Sequence, residues 1–236
     1  MPPLSTLPSP PAWADDIAAL YDTQLRVEGL DPRTFPPEHW WQIAMPLLSS
    51  DRGFDVREIG RSVEGRPLRH VRWGNGPKRV LLWSQMHGDE STATMALADV
   101  FRFLGEHPGH PLAVRLRENT TLHFLPLMNP DGAARFQRYN AQGIDLNRDA
   151  RALATPEART LKSLYDSIQP DFGFNLHDQL PGYRTGDTDK ATAIALLSPP
   201  FDDSRAINDV RTRAMEVAVA IRAMLEPTLA GHIARW

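Results

Sequence analysis

The chain has 236 residues, 42% hydrophobic and 23% charged, the balance of an ordinary globular protein long enough to bury a core. Its formal net charge of −3 leaves no basic excess to neutralise phosphates, which excludes an electrostatic nucleic-acid binder, although arginine supplies 23 of the 26 basic residues and single guanidinium clamps remain open. There is no cysteine, so disulfides and thiolate metal sites are excluded and any metal must be held by His, Asp or Glu.

In chain order, "MPPLSTLPSPPAW" is Pro-rich, lacks the charged-then-apolar layout of a signal peptide, and reads as a flexible lead-in over residues 1–13. No apolar run approaches the ~20 residues of a spanning helix, so no membrane partner is expected and a cytoplasmic location is the default. "ADDIAALYDTQLRVEG" has apolar residues at helical spacing and stops at Gly29, and "PPEHWWQIAMPLLSS" reads as a second helix, giving an N-terminal helical segment over 14–50. From 51 to 236 the pattern is that of one larger domain. "FDVREIGRSVEGRPLRHVRWGNGPKRVLLWSQM" alternates with Gly-rich breaks, as strands joined by turns do. A helix near 91–106, a strand at "TLHFLPLM", a helix near 156–168, strands at "FGFNLH" and "ATAIALL", and a long helix near 204–226 complete the chain. Strands alternating with helices predict an α/β fold, a mixed and mostly parallel sheet flanked by helices on both faces.

In such sheets ligands gather beyond the carboxyl ends of the strands. Those ends carry "MHGDE", "LMNPDG" and "NLHDQ", all polar and all expected at one edge of the sheet. His87 and Glu90 lie three apart across a strand-to-helix turn with Gly88 between them, and His177 closes another apolar strand. Two imidazoles and a carboxylate are the usual protein ligands of a catalytic zinc, the fourth position being left to water. His-x-x-Glu alone is a weak signal that recurs by chance at helix starts. A third segment strengthens it: "NPDGAARFQRYNAQGIDLNRD" is dense in Arg, Asn and Asp, and Arg with Asn beside it offers the planar fork and the amide that suit the grip on a carboxylate. Without that context the same run also suits a long solvated loop.

The ordered set "HGDE", "NPDG…GIDLNRD" and "NLHDQ", preceded by "IGRSVEGRPLRHVRWG", resembles the zinc carboxypeptidase family, the carboxypeptidase A-like metallopeptidases, and within it the uncharacterised bacterial branch. The resemblance runs from about Phe54 to the last helix. It implies that His87, Glu90 and His177 hold one zinc ion, and that Asn147 and Arg148 grip the terminal carboxylate of a substrate. It further implies that Arg138 polarises the scissile carbonyl and that Asp145 orients the first zinc histidine from behind. The implied activity is zinc-dependent cleavage of a C-terminal peptide bond or related amide bond through a zinc-activated water, on a mixed eight-stranded sheet. An N-acyl amino acid deacylase with the same zinc set, and a non-catalytic zinc- or peptide-binding relative, are the alternatives. Oligomeric state is not read from the sequence.

Two departures stand out. The family's general base is a glutamate ending a late strand, whereas the only glutamates after His177 are Glu216 and Glu226, both in a helical stretch. The chain is therefore expected to be truncated before the catalytic Glu, with C-terminal strands missing, and to lack turnover as it stands. Second, Asp149 follows Arg148 and Asp178 follows His177, and a carboxylate beside Arg148 is expected to neutralise the clamp in part and disfavour an anionic substrate end.

Overall fold

A computed structural model describes residues 13–30, 33–179, 182–200 and 202–235, so residues 1–12 of the Pro-rich lead-in lie outside the described residues. The chain divides into two compact units, one of residues 20–178 and one formed by the residues on either side of it.

Helix α1 (Trp13–Leu20) does not continue to Gly29 as its spacing predicts. A π-turn over Tyr21–Leu25 follows it, and the chain leaves helical geometry at Arg26. The side chain of Asp99 accounts for that exit, accepting the Val27 N–H at 2.7 Å and the Tyr21 hydroxyl at 3.1 Å. Helix α2 (Pro37–Ala44) starts on a proline, whose missing N–H costs nothing at the first helical position, and buries Trp40, Trp41 and Ala44.

A five-stranded sheet forms the body of the larger unit. β1 (Phe54–Arg61) and β2 (Pro67–Trp73) make an antiparallel hairpin, and β3 (Lys78–Ser84) leads into α3 (Thr92–Glu106). α4 (Pro111–Asn119) returns the chain to β4 (Thr120–Leu125), then come α5 (Pro130–Ala134), α6 (Pro156–Ile168) and β5 (Phe172–Leu176). The strand order is β1-β2-β4-β3-β5, with β2 antiparallel to β4 and β3 parallel to both β4 and β5. The sheet is thus mixed, its parallel part being the three strands that end at the polar motifs. β4 lies in the middle, and five of its six residues are buried, whereas β5 at the sheet's end is only half-buried.

Adjacent residues of β4 point to opposite faces. Leu125 packs with Leu81 of β3 and with Leu164 and Ile168 of α6. Phe124 meets Phe101 of α3 edge-on, and Phe101 in turn meets Phe54 and Trp40. Helices therefore cover both faces. The Trp40 indole donates to the Thr94 carbonyl at 2.9 Å, which satisfies its one buried polar atom. α6 begins where its sequence predicts: Thr155 accepts from the Ala158 N–H at 3.1 Å and Pro156 takes the first helical position.

α4 and α5 are not apparent from the apolar spacing, because α5 is barely one turn and α4 begins at a His110 ring that caps Leu112. In the second unit β6 (Ile194–Leu196) pairs in parallel with β7 (Ile233–Arg235), and α7 (Asp209–Leu225) lies between them in sequence. α7 starts at Asp209, after the 204 predicted, because Asn208 supplies the cap. Among the described residues no helix is long and apolar enough to cross a membrane.

Candidate metal centre

Ser84 and Leu176 are paired across the parallel strands β3 and β5, so His87 and His177 leave neighbouring strands at the same edge. The loop that carries His87 is held by backbone contact. A Cβ on Gly88 would lie 2.1 Å from the carbonyl carbon of Gly132, so only glycine lets the loop touch α5. Asn129, fully buried, ties the same parts together. Its Oδ1 accepts the Gly132 N–H at 2.9 Å, while its Nδ2 donates to the carbonyls of Met86 and Arg138, each at 3.3 Å.

His87, Glu90 and His177 converge: one ligand atom from each lies within 4.8 Å of the others. His87 Nδ1 is 2.8 Å from Glu90 Oε1, and His177 Nδ1 is 2.6 Å from Glu90 Oε2. Both histidines thus turn the same ring nitrogen to one carboxylate. His87 Nε2 lies 3.1 Å from Asp145 Oδ1, the outer support that ligating imidazoles need. This donor set suits zinc: two ring nitrogens and a carboxylate converge, and Asp145 on Nε2 leaves Nδ1 as the His87 nitrogen that would face an ion. The charges support each other. Burial pulls the His87 ring down, but the hydrogen bonds to Glu90 and Asp145 outweigh it and leave the pKa raised. Burial likewise pushes Glu90 up, and the bonds to His177 and His87 overcome it and bring the carboxyl to about 2.

Arg138 donates to Asp145 Oδ2 through Nε at 3.2 Å and Nη2 at 2.9 Å, and its Nη1 stands 3.7 Å from Glu90 Oε1. Asp145 therefore bridges His87 and the arginine. Burial opposes its ionisation, but Arg138 and His87 hold its carboxyl below the ordinary range. Asn147 Oδ1 accepts from Asn175 Nδ2 at 3.3 Å, and the exposed Arg148 donates to the Asn147 carbonyl at 3.0 Å. The expected neutralisation of Arg148 by Asp149 is overturned. Asp149 is 3% exposed and turned inward, accepting from Ala154 N at 2.9 Å, Thr155 N at 2.9 Å and Thr155 Oγ1 at 2.7 Å. It fastens the start of α6, and among the described residues it forms no ion pair.

Asp178 also has a defined task. It accepts from Thr92 N at 3.2 Å and Thr92 Oγ1 at 2.9 Å, and so ties the His177 strand end to the first turn of α3. Two neighbours of the site escape sequence reading. Asn175 reaches it because residues 175 and 177, two apart, share a face of the extended chain, a signal that exists once the strand is recognised. Arg33, which donates to the Asp89 carbonyl at 2.8 Å, carries no local signal at all. Glu216 lies inside α7, and Glu226 follows it, paired with Arg222 at 3.0 Å; neither follows a strand.

A mixed α/β sheet that brings two histidines and a glutamate together at its carboxyl edge, with an Asp–Arg pair behind one histidine, has the donor set for a metal ion. The profile of the zinc carboxypeptidase family matches residues 51–186, more than half of the chain, and the chain belongs to that family. Membership implies a zinc cofactor. A probable carboxypeptidase 2 of Arthroderma benhamiae is 32% identical over 108 residues, which are 46% of this chain and 20% of that protein. A metallo-carboxypeptidase from Burkholderia cenocepacia superposes with TM-score 0.56 at 28% identity, over 68% of this chain and 44% of that one. The carboxypeptidase A of Helicoverpa armigera shares the fold at TM-score 0.67 and 16% identity, over 94% of this chain and 64% of that one. The chain thus spans about a fifth of the length of the curated relative and less than half of the bacterial structure.

Proposed function

We propose that this chain carries the metal- and carboxylate-binding part of a zinc metallocarboxypeptidase that acts on a C-terminal peptide bond or a related amide bond. The convergence of His87, Glu90 and His177 within 4.8 Å is the observation that carries the reading. Zinc, when bound there, polarises the scissile carbonyl and lowers the pKa of a water from ~15.7 towards ~7. Asp145 holds the His87 ring, and Arg138, fixed by the same carboxylate, presents N–H groups where an oxyanion develops. Arg148, free of Asp149, and Asn147 take the substrate's terminal carboxylate. Binding of the metal and of the free carboxylate is the direct readout of these residues.

The test is elemental analysis of the purified chain and of His87→Ala, followed by calorimetry with a dipeptide and its C-terminal amide. Near-stoichiometric zinc that His87→Ala loses, with the free carboxylate preferred and that preference abolished in Arg148→Ala, supports the reading. No zinc after metal-replete purification sinks it. Preference for an N-acyl amino acid over peptides shifts the substrate to the deacylase class.

A further inference from the structure

Arg33 lies upstream of the family-matched residues 51–186, yet it touches each of the segments that bear the site. Its Nη2 donates to the Asp89 carbonyl, between His87 and Glu90, at 2.8 Å. The same nitrogen pairs with Asp178 Oδ2, beside His177, at 2.9 Å. Its guanidinium carbon stands 5.6 Å from the ring centre of Phe136, two residues before Arg138. At its other end the Arg33 carbonyl accepts from the fully buried Ser91 Oγ at 2.6 Å, so the side chain is launched from a fixed backbone. Phe136 has φ +47, an uncommon conformation for a bulky residue, and it is held beneath the guanidinium. Asp178 buries 93% of its side chain, counting from its 7% exposure, which makes its only cationic partner among the described residues a costly one to lose.

We propose that Arg33 is a positioning residue that clasps the 87–90 loop, the end of β5 and the Arg138 segment together, so that the sequence before the family-matched region completes the metal centre. It acts through Asp178 and the Asp89 carbonyl. The two polar contacts share one nitrogen, which an ammonium could also supply, whereas the planar guanidinium over the Phe136 ring is what a lysine lacks. The inference rests on the zinc reading for its affinity readout, and has a second readout that needs no metal.

The experiment compares wild type, Arg33→Ala and Arg33→Lys. Zinc affinity is measured by competition with a chromophoric chelator, and amide hydrogen exchange is followed on the metal-free proteins. Arg33→Ala is expected to weaken zinc binding about 10–100-fold, the usual effect of removing an outer support. Arg33→Lys should fall between, and millimolar ethylguanidinium should restore part of the Ala variant's affinity, which a general packing defect would not permit. In the metal-free proteins exchange should quicken in residues 87–92 and 177–178, with β1 and β2 unchanged. Zinc affinity in Arg33→Ala within twofold of wild type, or unaltered exchange in those loops, overturns the proposal. If Arg33→Ala fails to fold, Arg33→Lys carries the same comparison. Wild type that binds no zinc defeats the zinc reading alone, and the exchange data still decide the clasp.

Discussion

Replacing His70 with Phe and His123 with Leu should remove most of an acid sensitivity built into the sheet. His70 on β2 and His123 on β4 stack with centroids 5.1 Å apart, and His70 Nε2 lies 2.9 Å from His123 Nδ1. Burial is the main cause that lowers both rings from 6.5 to about 4. Arg57 and Arg72 push His70 the same way against Asp55, and His123 is lowered further by His70, Arg72 and Arg79. Because the folded values are depressed, the unfolded chain binds more protons between these limits. The stabilising contribution is whole above about pH 6.5 and is lost as pH falls towards about 4. From about pH 7 to about pH 5, one such ring accounts for about 2 kcal/mol. The rings titrate as a coupled pair, so about 2–3 kcal/mol is expected for both rather than twice that figure. His87, whose pKa is raised, has the opposite sign, losing its contribution as pH rises, and it is common to wild type and variant. Urea unfolding at the two pH values measures the difference. The double variant should lose about 2–3 kcal/mol less than wild type. Equal losses would refute the assignment of the acid sensitivity to this pair.

Asp145→Asn removes the charge and leaves one oxygen where two accept, so that His87 or Arg138 loses its acceptor, and should weaken zinc binding about 10–100-fold in chelator competition while the fold is kept; unchanged affinity would show that Asp145 does not orient the ring. Phe101→Ala deletes a fully buried ring that meets Trp40, Phe54 and Phe124, and should cost about 3–5 kcal/mol in urea unfolding. A cost below about 1 kcal/mol would mean that this face of the sheet collapses around the void.

Much of the architecture was written locally. The alternation of "FDVREIG" and "PLRHVRW", the Thr155–Pro156 start of α6 and the apolar runs ending in polar motifs each specify one element from their own residues. The rule that ligands gather beyond strand ends puts His87, Glu90 and His177 at one edge of the sheet. Local pattern failed where a distant group decided the outcome. α1 stops short because Asp99, on α3, takes the Val27 N–H. Asp149 turns away from Arg148 because Thr155 offers it a hydroxyl and an N–H. The sequence by itself determined the residue types of the candidate site, their order and the strands that bear them, since those follow from residue chemistry and short periodicities. Only the tertiary structure decided which nitrogen faces Glu90, how Asp145 joins His87 to Arg138, and that Arg33 closes over the three segments. Those relations depend on packing between residues that are remote in the chain, and neither residue of such a pair carries a mark of the other.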